Sequence, residues 1–208
     1  MIKSDNLKEV LKQLGFTSKG KVFVKSFSNI DSYLKVDFKN EELIYPEDKG
    51  FRINERQTCN FSSNENFVVF ECVNRLFEKG YKAEHIELEP KWKVGHGASG
   101  GRADILVRDN FKKPLLIIEC KTPGKEFFKA WKETQIDGDQ LFSYAQQIPD
   151  TKFLCLYTSD FENENQVNFN SIIISHKDNE LILSDNKNLK SFDKAKNVRE
   201  RFSVWKEI

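Results

Sequence analysis

The chain is poor in the residues that staple, ligate or anchor. Its four cysteines (59, 72, 120 and 155) lie far apart with no Cys-x-x-Cys pair, so the sequence indicates neither a zinc site nor a disulfide framework. Three histidines, at 85, 96 and 176, also lack ligand spacing. No run approaches the roughly 20 apolar residues of a membrane helix. The start, Met-Ile-Lys-Ser-Asp-Asn-Leu-Lys, has none of the apolar stretch of a secretory signal. A cytoplasmic protein with reduced thiols is expected. Internal repeats and low-complexity tracts are missing, and a net charge of +1 announces no polyanionic partner at the level of the whole chain. What is present is a globular composition: 38% hydrophobic residues and 18 phenylalanines in 208 residues, enough for one sizeable domain with additions.

Two apolar segments carry charges where a core strand should not. Asp104 lies in Gly-Arg-Ala-Asp-Ile-Leu-Val, and Glu119-Cys120-Lys121 closes Leu-Leu-Ile-Ile-Glu-Cys-Lys. Both read as strands. The polar, proline-bearing stretch 108–114 reads as the turn between them. A turn centred between Phe111 and Lys112 pairs position 104 directly with 119, with side chains about 4.5–5.5 Å apart at Cβ. Glu119 and Lys121 share one strand face and Cys120 takes the other.

Two carboxylates so placed repel unless a cation lies between them, and carboxylates embedded in core strands are expensive unless paired or metal-bound. The pattern points to a divalent metal site. Magnesium takes oxygen ligands and is commonly held by one or two carboxylates plus substrate phosphate, which suits phosphodiester hydrolysis, with water activated at the metal. Lys121 could orient or deprotonate the attacking water, or stabilise the transition state as a neighbouring cation. The plainer alternative is a surface salt bridge at a strand end, and the aliphatic run from Leu115 to Ile118 weighs against it.

Asp104 with Glu119-x-Lys121 resembles the PD-(D/E)XK nuclease superfamily, with Ala103 where that motif often has proline. Upstream, Phe67, Phe70, Val73, Leu76 and Phe77 recur at helical spacing before Gly80. This segment is similar to the first core helix of the nuclease domain at the N-terminus of type I restriction enzyme R subunits. The resemblance implies a metal-facing glutamate near the helix start: Glu65 is the match, and Glu71 the competitor. Downstream, Gln140 and Tyr144 are four apart in a helix expected from about 126 to 147, matching a Gln-x-x-x-Tyr element of the same family.

The resemblance spans about residues 60–160. It implies an α/β fold with a restriction-endonuclease-like αβββαβ core, a central mixed sheet flanked by helices. Asp104 and Glu119 would ligate Mg²⁺ (or Mn²⁺ as a substitute) with the backbone carbonyl of Cys120. Lys121 would serve the water, Glu65 would assist, and Gln140 and Tyr144 would support the site and DNA. Residues 91–125 hold eight Lys or Arg against three acids, a net +5, fit to meet phosphates.

The glycine-rich stretch Gly95–Arg102 lacks the Gly-Lys-Ser/Thr ending of a nucleotide loop and precedes a strand. It reads as a hairpin at the site's edge, from which His96 or Arg102 could touch DNA. The lead-in strand is expected over 81–94, with Ile86, Leu88 and Trp92 alternating against Glu87, Glu89 and Lys93, and a later strand over 152–159.

Residues 1–60 read as a small αβββ appendage: a helix from Leu7 to Gly15, then strands over 21–27, 33–38 and 42–45. The nuclease-like core is expected over 61–185, with further strands at 171–175 and 180–183. A charged helix at about 193–206, within 186–208, would lead to a further domain. In the families resembled, that domain is a DNA motor or, in fused restriction–methyltransferase enzymes, an N6-adenine methyltransferase, acting with a specificity subunit. No Walker motif and no Asn-Pro-Pro-Tyr occurs in these residues. The expected function is therefore a Mg²⁺-dependent restriction endonuclease domain. The alternative is a catalytically silent DNA-docking or assembly module of the same fold.

Overall fold

The computed structural model describes residues 1–90, 102–137, 139–148, 150–162, 166–175 and 197–198. The chain begins with helix α1 (Leu7–Gln13) and a meander of β1 (Thr17–Lys19), β2 (Val22–Phe27), β3 (Ser32–Asp37) and β4 (Glu42–Ile44). These four strands form one antiparallel sheet in sequence order. The expected αβββ pattern lacked β1. That strand is three residues long with every side chain exposed, so it carries no hydrophobic alternation to betray it.

The second sheet holds seven strands in the order β11-β10-β9-β8-β7-β6-β5. They are β5 (Arg52–Ile53), β6 (Ile86–Leu88), β7 (Ile105–Arg108), β8 (Pro114–Cys120), β9 (Phe153–Glu162), β10 (Gln166–Ser175) and β11 (Asn197–Val198). β8 pairs with β9 in parallel, as β5 does with β6, and the remaining pairs are antiparallel, so the sheet is mixed. Helix α2 (Asn64–Glu78) precedes β6, while α3 (Lys125–Asp137) and α4 (Asp139–Gln147) make the crossover that a parallel β8–β9 pair requires. The helix expected over 126–147 is seen as α3 and α4 on either side of position 138, which lies outside the described residues.

Helix α2 has local reasons to start and stop where it does. The Ser63 side chain accepts the Glu65 N–H at 3.2 Å, and acidic Glu65 sits in the first turn, where the helix dipole favours it. At the other end Gly80, with φ +99°, donates its N–H to Phe77 O, and Tyr81 donates to Leu76 O, the paired bonds of a glycine-terminated helix. Burial extends beyond the expected stripe. Val68, Val69, Cys72 and Asn74 are also enclosed, because α2 is packed on two sides. Phe70 and Phe77 meet Phe16, Phe27, Tyr45 and Phe51 of the N-terminal part. Leu116, Ile118 and Cys120 of β8 belong to the same core. Residues 1–60 therefore share one hydrophobic core with α2 and β8, and β5, within that range, adds itself to the large sheet through β6.

The opposite face of the large sheet has its own core. Leu106, Ile117, Leu154 and Leu156 lie there with Phe127, Leu141, Phe142 and Tyr144 of α3 and α4. Glu87 and Glu89 are buried as well, where Arg52 and Arg108 reach Glu87 and Arg102 reaches Glu89. One further expectation needs correction. Within the helix expected over 193–206, Asn197–Val198 instead pair as a strand with Ile174 and Ile173. The backbone bonds of an open edge outweigh the charge pattern on which that helix rested. The remainder of that helix, the strand at 180–183, and Trp92, Lys93 and His96 lie outside the described residues. No helix among the described residues is long and apolar enough to cross a membrane.

Candidate active site

The hairpin β7–β8 sets the site. Asp109 organises its turn, accepting the N–H of Phe111 and of Lys113 on one carboxylate oxygen at 2.9 Å each, while Lys112 takes a left-handed φ of 62°. Next to the turn Arg108 pairs with Pro114, and a bulge between Val107 and Arg108 then shifts the register by one, so that Ile105 pairs with Ile118, Leu106 with Ile117, and position 104 falls opposite 119, the pairing read from the sequence. Alternation along β8 turns Leu116, Ile118 and Cys120 toward α2 and carries Glu119 with Ile117 to the other face. The Cys120 thiol is thereby sealed in the core, and only its main chain is left to the site.

That main chain is used. The Asp104 carboxylate accepts the Cys120 N–H at 2.6 Å, which fixes Asp104 across the strand end between Glu119 and Lys121. The Asp104 carbonyl accepts the Glu89 N–H at 2.9 Å from the other side. Lys121 is held at its backbone by the carbonyl of Tyr157 on β9 (2.9 Å). Its ammonium lies 2.7 Å from Glu119 Oε1 and 3.8 Å from Glu65 Oε2. Three elements, β7, β8 and the start of α2, thus bring Asp104, Glu119, Lys121 and Glu65 to one place.

The electrostatics arise from enclosure. Burial, and next the Glu119 charge, hold the Asp104 carboxyl well above the usual carboxylate range, while Lys121 and the Cys120 N–H offset part of this. Burial likewise raises Glu65, partly countered by Lys121. For Lys121 burial alone would favour the neutral amine, but Glu119, Asp104 and Glu65 outweigh it and its pKa ends above the ordinary value. In this arrangement Lys121 is a firmly held cation.

The two helix glutamates have different fates. Glu65 has a third of its side chain exposed and faces Lys121. Glu71, two turns on, is enclosed: it pairs with Arg75 at 2.7 Å and accepts the Tyr157 hydroxyl, which itself accepts Arg75 Nε–H at 3.1 Å. Arg75 also stacks on Phe169, 3.7 Å from the ring centre. Glu71 belongs to a buried bracket between α2 and β9.

Tyr144 is buried and donates its hydroxyl to the Arg102 carbonyl at 2.8 Å, so α4 pins the segment leading into Asp104. Gln140 lies in the same helix one turn earlier. The Arg102 guanidinium stands 3.6 Å from Glu55 and 3.5 Å from Glu89. Sequence reasoning missed Glu89 and Tyr157 as supports. Glu89 carries a signal in hindsight, an acid before Pro90 at the end of a strand, and its φ of 45° marks a backbone held by its surroundings.

Among the described residues no group of three or more His, Cys, Asp or Glu side chains closes into a metal cage. The donor chemistry nonetheless fits a hard cation: Asp104 and Glu119 offer oxygen ligands side by side in an enclosed place.

Comparison with known proteins bears on the same segment. Residues 64–162, from the start of α2 to the end of β9, match the family model described as type I restriction enzyme R protein N terminus. No curated protein matches the chain. The matched segment contains Glu65, Asp104, Glu119, Lys121, Gln140 and Tyr144. It begins beyond α1 and the first sheet.

Proposed function

We propose that this chain is a Mg²⁺-dependent DNA endonuclease domain of the PD-(D/E)XK type, from a restriction–modification enzyme related to type I R subunits or fused to an N6-adenine methyltransferase. The observation that carries this reading is the convergence of Asp104, Glu119, Lys121 and Glu65 at the ends of β7, β8 and α2. The family match over 64–162 supports it, and with it DNA as substrate and further subunits or domains as partners.

Asp104 and Glu119, with the Cys120 carbonyl, would hold Mg²⁺. When bound, the ion would neutralise their charge and polarise the scissile phosphate. The Cys120 N–H keeps Asp104 aimed. Lys121 acts on the attacking water, which it orients or deprotonates, or meets the phosphate's growing charge as a neighbouring cation. Glu65 sets the position of that ammonium from the helix side. Tyr144 fixes the entry of the Asp104 segment through the Arg102 carbonyl, and Gln140 and Arg102 border the substrate.

The test is a supercoiled plasmid incubated with Mg²⁺ or Mn²⁺ and either the wild-type chain or Lys121→Ala. Nicking by wild type with at least a 100-fold loss in the variant is expected. Undiminished nicking by Lys121→Ala would overturn the assignment.

A further inference from the structure

Charge is not spread evenly along this chain. Residues 1–40 contain eight lysines and four acids, a net charge of +4, while the whole chain carries only +1. The first 51 residues contain no arginine. The fold gathers part of this excess at one place. Lys8 and Lys12, one turn apart on exposed positions of α1, and Lys21, in the turn between β1 and β2, line a cavity of about 400 Å³. Ser18 and Gly20 contribute to its wall, and Phe23 and Phe38 form an aromatic floor.

The frame of this groove is well determined. Gly20, with φ +66°, makes the tight turn that presents Lys21. The Phe38 N–H donates to the Lys21 carbonyl at 3.0 Å, tying the end of β3 to that turn. Phe23 and Phe38 meet edge to face with ring centres 5.3 Å apart, and the Lys8 ammonium stands 5.2 Å from the centre of the Phe38 ring.

What distinguishes this groove is its missing countercharge. Among the described residues no carboxylate lines it, and none pairs with Lys8, Lys12 or Lys21. A second cavity of about 440 Å³ makes the contrast. Its Arg52 and Arg108 are held by Glu87 and its Lys112 by Glu84, so its cations are already satisfied. Three lysines lining one groove without an acid leave its positive charge unanswered, and an anion with several charges would answer it. Lysines act as point charges and lack the planar fork that reads base edges, so they suit backbone phosphates.

We propose that the α1–meander groove is a second nucleic-acid contact, separate from the Asp104 site, that takes the backbone phosphates of duplex DNA without reading sequence. The choice of DNA as the polyanion rests on the nuclease reading; the groove itself does not. It also gives the N-terminal part, which lies outside the family-matched segment, a task of its own.

The experiment is fluorescence anisotropy with a labelled 20-base-pair duplex of arbitrary sequence, in EDTA, from 50 to 200 mM KCl, using chains that carry Asp104→Asn. In this way neither cleavage nor metal enters the result. The variant Lys8→Gln/Lys12→Gln/Lys21→Gln is compared with Lys79→Gln/Lys82→Gln/Lys152→Gln, which removes three equally exposed charges elsewhere. The groove variant is expected to lose about tenfold or more in affinity at 50 mM. Its log–log salt slope should fall by roughly 2–3, near 0.9 for each phosphate contact. The control should lose far less, with melting temperatures matched. Equal losses in the two triples, an unchanged groove variant, or no DNA binding by the parent chain would overturn the proposal. A plasmid that stays intact in the cleavage assay would count against the nuclease and leave a groove-dependent loss standing.

Discussion

The carboxylate of Asp104 accepts the backbone N–H of Cys120 at 2.6 Å, so the acid at the start of one strand is anchored to the residue between Glu119 and Lys121 on the next. Asparagine can accept the same bond through its amide oxygen while removing one of two neighbouring buried charges. Asp104→Asn is therefore expected to melt at the same temperature as wild type, or higher, in EDTA. Wild type should gain stability with Mn²⁺, by about 2.7 kcal/mol at a concentration 100 times the dissociation constant, and the variant should gain none. Thermal melts with and without Mn²⁺ decide this; an equal gain in both chains would mean that Asp104 does not hold the ion.

Glu65 and Glu71, six residues apart on α2, should separate activity from stability. Glu71→Ala leaves Arg75 enclosed without its carboxylate and removes the acceptor of the Tyr157 hydroxyl. Breaking such a buried pair costs about 3–5 kcal/mol, a fall in Tm of roughly 6–20 °C for a chain of this size. Glu65→Ala removes a partly exposed acid from a helix start, worth about 1 kcal/mol or less. On our reading it also lowers plasmid nicking at least tenfold. Melting curves and nicking rates on both variants test this, and a large stability loss at Glu65 with normal cleavage would reverse the roles.

What could be read from the sequence was local. The hairpin across 108–114 was close enough in sequence to read, and position 104 does fall opposite 119, though through a one-residue bulge beside Arg108 and not from the turn alone. The chemical oddity of acids in aliphatic strands was visible for the same reason. Non-local arrangements left no such mark. β5 joins the large sheet through a partner 35 residues later, and α2 is buried on two sides because a sheet formed by residues 17–44 closes over it. The burial of Glu87 and Glu89 left no mark either, since the arginines that neutralise them come from positions 52, 102 and 108. The choice between Glu65 and Glu71 was open for the same reason: Tyr157, which claims Glu71, lies 86 residues away.

Tyr144→Phe deletes one hydroxyl, the donor to the Arg102 carbonyl, and leaves the ring in its core. The expected stability cost is about 1 kcal/mol. The carbonyl lies two residues before Asp104, so the larger effect should fall on the site: nicking by the variant should drop several-fold, with Mn²⁺ affinity weakened in parallel. Titration of Mn²⁺ by thermal shift alongside the plasmid assay checks both. Loss of stability with unchanged metal affinity and nicking would make Tyr144 a packing residue only.

His85 offers a pH dependence outside the site. It closes the short turn Ala83–His85 and is almost wholly buried; burial lowers its pKa below the ordinary 6.5, with Glu84 partly opposing. The unfolded chain therefore takes up a proton at a higher pH than the folded one. Stability accordingly rises with pH between the lowered folded value and the region just above 6.5, and falls as acid is added through that window. His85→Gln removes this titration. Wild type should lose more Tm than the variant on going from pH 7.5 to 5.5, and the two curves should run parallel above pH 7.5, where the imidazole is neutral in both states. Parallel curves across the whole range would mean that His85 is no harder to protonate in the fold than in the unfolded chain.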